Sequence, residues 1–182
     1  MISRRALLAG ATAPLLGAMT SAQQQLLLQY PPPTLDLNFI GGVFDPRITM
    51  TRAAGGATYF DSTGTLVVAA ANEPRFDHDP TTLAPLGLLI EEARINYLLN
   101  SGTPATQTTG SLTTGTYVLW IVGTGSATSS AGTATGTGFG AATAGSPNVF
   151  TLTVAGTVVV TVAGTPTRFQ LEKGAFATSY IP

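Results

Sequence analysis

Cysteine is absent from the chain, which excludes a disulfide framework and any thiolate metal site. Charge is nearly as scarce, at 9% of residues against the usual figure of about a quarter. Low charge beside 44% apolar content is not a disorder signature, which needs high net charge and low hydrophobicity. It points instead to surfaces buried against other copies or another protein. A net charge of −1, with no basic patch, gives no electrostatic pull on nucleic acid. No apolar run approaches the roughly 20 residues of a membrane-spanning helix. One histidine and one tryptophan leave little catalytic vocabulary, and no cofactor is implied.

The charge that is present is concentrated. The chain has seventeen charged residues (eight Lys and Arg plus nine Asp and Glu), and eleven of them lie between Asp45 and Arg94. From Ile95 to Thr167 there is none. This divides the chain into an arm with a proline-rich spacer (1–33), a charged collar (34–101) and a neutral β module (102–182). The collar is expected to dock and brace, the module to be displayed. Arg52, Asp61, Arg75, Asp77, Asp79, Glu91, Glu92 and Arg94 are the expected bracing set, with Arg75 or Arg52 paired to the nearby aspartates. Exposed pairs of this kind contribute up to ~1 kcal/mol each.

Residues 1–22, MISRRALLAGATAPLLGAMTSA, have a basic start and a short apolar stretch. They resemble a twin-arginine export signal, which would place the protein in the periplasm or outside the cell. The competing reading is an apolar anchor threaded into a larger assembly. Pro31, Pro32 and Pro33 then form a stiff spacer. Alternating apolar residues predict short strands at 35–39 and 48–51. Residues 57–70 read as a hairpin around the turn DSTG at 61–64. Residues 87–90 read as extended. Residues 91–99 could form two helical turns with Ile95, Leu98 and Leu99 on one face.

Residues 101–167 hold nineteen threonines and twelve glycines. Inside that bias, apolar residues recur with a period of two at 148–154 and 158–162, so strands alternate with glycine-rich links. Threonine suits the exposed face of a strand. Ala155-Gly156 is predicted to turn a hairpin between these two strands. Residues 117–122 are apolar on both faces and should form a central strand or face another subunit. The fold class is therefore mainly β: a small β-sandwich preceded by an irregular β collar and an N-terminal anchoring arm, with the jelly-roll-like form of the sandwich implied by the resemblance described below.

No catalytic arrangement emerges. His78 sits between Asp77 and Asp79, but neighbours on an extended chain point apart and cannot orient its ring. It reads as an exposed turn histidine. Asp77 and Asp79 supply too few oxygens for calcium. Glu91 and Glu92 are adjacent and face apart, whereas glycosidase carboxylates face each other across the sugar. The run GTGFG at 136–140 lacks the lysine of a phosphate loop. Trp120, Tyr117, Phe139 and Tyr180 are candidate sugar-stacking rings. Phe139, in a glycine-rich link, is the best placed for exposure, while Trp120 falls in the most apolar strand.

The runs ATYFD (57–61), NEPRFD (72–77) and GLLIEEAR (87–94) resemble a segment of many tailed-bacteriophage virion proteins. In that family it precedes a lectin-like, carbohydrate-module-like jelly roll, and FQLEKGAFATSYIP (169–182) is similar to its last strands. The resemblance implies a non-enzymatic virion protein. It would be a short fibre or spike, a homo-oligomer and by analogy a trimer, bound to capsid or tail proteins and facing host-surface glycans. The alternatives are a capsid-decorating protein without ligand and an exported carbohydrate-binding module.

Overall fold

The computed structural model describes residues 37–53 and 55–182, so the arm at 1–33 lies outside the described residues. The chain is mainly β, with curled antiparallel sheets and no helix among the described residues. The collar holds two small hairpins. In the first, β1 (Thr58–Phe60) pairs with β2 (Leu66–Val68). Its turn forms as the sequence predicts, because Asp61 Oδ1 accepts from the backbone N–H of Thr63 and Thr65, at 2.8 and 3.0 Å. In the second, β3 (Phe76–His78) pairs with β4 (Pro85–Leu88). Asp79 Oδ1 closes that link by accepting from the N–H of Thr81 and Thr82.

The body is one six-stranded sheet. Its strands are β5 (Gln107–Thr108), β6 (Gly115–Ala131), β7 (Thr135–Thr137), β8 (Ala141–Ala142), β9 (Asn148–Val154) and β10 (Val158–Lys173). The order is β5-β10-β6-β9-β7, with β8 also on β6. The centre is a long ribbon in which β6 and β10 pair from Tyr117↔Lys173 to Ala131↔Val158. This ribbon must fold over. Gly115 pairs with Leu152 and Ala131 pairs with Val158. Laid straight, the sixteen steps of β6 would span ~53 Å, but the six residues from Leu152 to Val158 reach at most ~21 Å.

The bend lies where Gly125 pairs with Gly164. Both have positive φ, +121° and +79°, and a Cβ on Gly125 would collide with the Ala163 carbonyl. Pro166 and a register shift before Arg168 complete the corner. Folding brings Tyr117, Leu119, Ile121, Phe169 and Leu171 from one half of the ribbon against Ala127, Val158 and Val160 from the other. The result is a sandwich-like fold made from one curled sheet. Phe150 and Leu152 on β9 fill the space between the halves, with Phe150 stacked on Tyr117 at 5.8 Å.

Four local predictions are corrected. Residues 37–39 and 48–50 are not strands; the Ile48 N–H is taken by the Asp45 carbonyl in a turn. Residues 91–99 are not helical. Leu98 is buried while Ile95 and Leu99 are exposed, and the segment runs extended beside β10, where Tyr97 N–H donates to Leu171 O. The Ala155-Gly156 hairpin does not form, since β9 and β10 lie on opposite sides of β6 and Gly156 bridges to Leu112 instead. His78 is half-buried in β3, with Nδ1 3.2 and 3.1 Å from the Phe60 and Phe76 carbonyls. Two acceptors place the proton on Nδ1. The central position predicted for 117–122 holds, because β6 is paired on both sides.

Candidate binding site

On the first half of β6 and the second half of β10, alternation puts residues 117, 119, 121, 169 and 171 into the core. Val118, Trp120, Gln170 and Glu172 therefore point the other way, yet Val118, Gln170 and Glu172 are fully buried. The cover is a strap, residues 178–181, that bends at Ser179. Side chains, not a neighbouring strand, satisfy its backbone. Glu172 Oε1 accepts from Thr178 N–H at 2.8 Å, and Glu91 Oε1 accepts from Ser179 N–H at 2.6 Å. Gln170 receives Ile181 N–H on Oε1 and donates from Nε2 to Ser179 O, mimicking a strand edge with one amide. Thr58 Oγ1–H donates to Tyr180 O, and Asn96 Nδ2–H to Ile181 O. Collar and body meet on this strap.

The ionic residues of the collar take their places around it. Arg75 Nη1 reaches Glu91 Oε2 at 2.8 Å, Thr58 O and Ser179 Oγ. The pair is largely buried, with 7% and 17% of the two side chains exposed. Arg94 pairs with Glu92 at 2.8 Å, and lies 4.0 Å from Glu172. The expected pairing of Arg75 with Asp77 is replaced by Glu91, because Asp77 Oδ1 is engaged by the Phe60 N–H. Asp61 and Asp79 cap turns instead of pairing with Arg52, whose guanidinium donates to the carbonyls of Ala53 and Ala70. The Thr63 hydroxyl, with the N–H groups of Thr65 and Thr63, holds Asp61 below the usual carboxylate range, and the N–H groups of Thr82 and Thr81 do the same for Asp79.

The four candidate stacking rings separate, Trp120 and Tyr180 to one groove and Tyr117 and Phe139 to the core. Tyr117 is fully buried between Tyr97 and Phe150, so it offers no face to a ligand. Phe139 is not an exposed platform. Its ring stacks on Phe150 at 5.0 Å, because the glycine-rich link turns it back to the core. Trp120 is half-exposed and lies outside the core cluster, with its Nε1–H on Glu172 Oε1 and its ring edge-on to Tyr180 at 6.3 Å. It lines a groove of about 300 Å3 with Tyr59, Asp77, Val122, Arg168 and Tyr180. The Arg168 guanidinium lies 5.3 Å from the Tyr180 ring centre and has no hydrogen-bond acceptor among the described residues. Asp77 Oδ2 also lacks a partner among them. A flat indole, a free donor and a free acceptor around one groove suit a polar ring with an apolar face.

No family model, curated protein or solved structure matches this chain. The groove must therefore be read from its own chemistry. Sequence reasoning selected Trp120 and missed Arg168, Gln170 and Glu172. The signal was present in residues 168–172, where polar side chains alternate with Phe169 and Leu171.

Proposed function

We propose that this chain is a non-enzymatic structural subunit of a tailed-phage virion, a short fibre or spike. Its N-terminal part anchors it, its collar packs against other subunits, and its β body faces host-surface glycans. The observation that carries this reading is the distribution of exposed apolar side chains. Among the described residues, nine of the thirteen large ones lie in the collar between Leu37 and Leu99, among them Ile40, Val43, Leu86, Ile90, Ile95 and Leu99. An apolar surface concentrated in one region suits a site of association. The groove beside Trp120 supports the glycan-facing role.

Light scattering on the purified full chain tests the reading. The expected result is an oligomer, a trimer by analogy with phage fibres, which Ile90→Ser with Ile95→Ser dissociates. A monomer at every concentration overturns it. A second reading, an exported carbohydrate-binding module, is favoured by the basic and apolar character of residues 1–22. A mature protein that starts at Gln23 would decide for it.

A further inference from the structure

A second cavity, of about 320 Å3, lies on the other side of Glu91 and Ser179 from the Trp120 groove. Its charged lining is Arg52, Arg75, Arg94, Glu91 and Glu92. Three arginines against two glutamates leave one positive charge. Both glutamates are engaged, Glu91 by Arg75 and Ser179, and Glu92 by Arg94. Arg94 is also engaged, since it donates in addition to the carbonyls of Lys173 and Phe176 and lies over the Phe176 ring.

The other two arginines are not fully used. Arg75 is only 6% exposed, and all three of its acceptors are on Nη1. Among the described residues its Nη2 has no acceptor, and its Nε is buried without one. Arg52 places Nη1 and Nη2 on carbonyls, and its Nε is likewise buried without a partner. A buried charged donor with no acceptor bears its whole desolvation cost. Nε and Nη2 of one guanidinium form a flat fork of parallel N–H groups, which matches the two oxygens of a carboxylate or phosphate. The Gly55-Gly56 wall of the cavity carries no side chain, and a Cβ on Gly55 would meet nothing within 4 Å.

We propose that this cavity binds an oxyanion, the carboxylate or phosphate substituent of a small ligand. The Nε–Nη2 edge of Arg75 is the main donor, and Arg52 Nε adds a second contact. The site goes beyond the neutral polar ring that suits the Trp120 groove, and it does not depend on the oligomeric state.

The test is a titration of the 15N-labelled full chain, read at the arginine Nε–Hε cross-peaks. Sodium glucuronate and glucose 6-phosphate are the probes, with glucose as the control. The expected result is a saturable shift at Arg52 and Arg75, selective among the seven arginines, with one or both acids and none with glucose. Response to glucuronate alone identifies a carboxylate site, and response to glucose 6-phosphate alone a phosphate site. Arg75→Lys keeps the charge but removes the fork, and should weaken binding roughly tenfold or more. If that variant does not fold, Arg52→Lys decides, with a smaller loss expected. Shifts shared by all arginines, an equal response to glucose, no saturable response to either acid, or unchanged affinity in Arg52→Lys would each overturn the proposal. A monomeric protein that still shows the selective shifts would sink the fibre reading and leave this site standing.

Discussion

The collar and the body solve the same problem with different means. The body buries a continuous apolar core between the halves of one folded ribbon, and its own three charges lie at 168, 172 and 173. The collar has two short hairpins among the described residues, leaves nine large apolar side chains exposed, and joins the body through Arg75, Glu91 and the strap. Non-directional burial can hold a sheet whose surface is mostly threonine and glycine. A region too small to enclose a core must rely on directed polar contacts, and its leftover apolar surface is then available to a partner.

Four perturbations probe this contrast. The largest effect is expected from Gly125→Val, which places a branched side chain at φ +121° against the Ala163 carbonyl. The ribbon should fail to fold over, at a cost above about 4 kcal/mol, and thermal denaturation should show no cooperative transition. Next is Glu91→Gln, which leaves Arg75 charged and buried and removes an acceptor from the strap. A loss of ~3 kcal/mol is expected, and hydrogen exchange should quicken at 58–60 and 66–68 while 117–121 stay protected. Equal exposure of both regions would break the contrast.

Acid supplies a milder probe. Folded Asp45 is lowered to about 2 from 3.8 by its Arg47 hydrogen bonds, and Asp61 and Asp79 are lowered by theirs. A carboxyl lowered in the folded state stabilises above its unfolded pKa, and that contribution is lost as pH falls through the folded value. Collar turns should therefore loosen between about pH 4 and pH 2, while the amides of β6 keep their protection in the same exchange experiment. The smallest effect on stability belongs to Ile90→Ser, within roughly 0.5 kcal/mol, because that side chain is 81% exposed. Its effect on association, read by light scattering, should nevertheless be measurable.

The sequence made the period-two strands legible. Residues 148–154 form β9 with the same bounds, and the turn at Asp61 was evident from its composition. What stayed hidden depended on contacts distant in sequence. The ribbon fold needs Gly125 opposite Gly164, and nothing local shows that they meet. Ala155-Gly156 carries hairpin chemistry, but both strands prefer β6 as a neighbour. At Ile95, Leu98 and Leu99 the helical spacing was real, and the Leu171 carbonyl and amide, bound to Tyr97 and Asn96, overrode it. Phe139 and Tyr117 were plausible stacking rings by residue type alone. Only the position of Phe150 shows that both serve the core.

The strap has one more implication. Because Gln170, Glu172, Glu91, Thr58 and Asn96 recognise its main chain, the joint between the two regions is written in a handful of side chains. Such a seam can be re-coded by a few substitutions without disturbing either set of strands. New bodies could thus be grafted under an old collar wherever these five residues are kept.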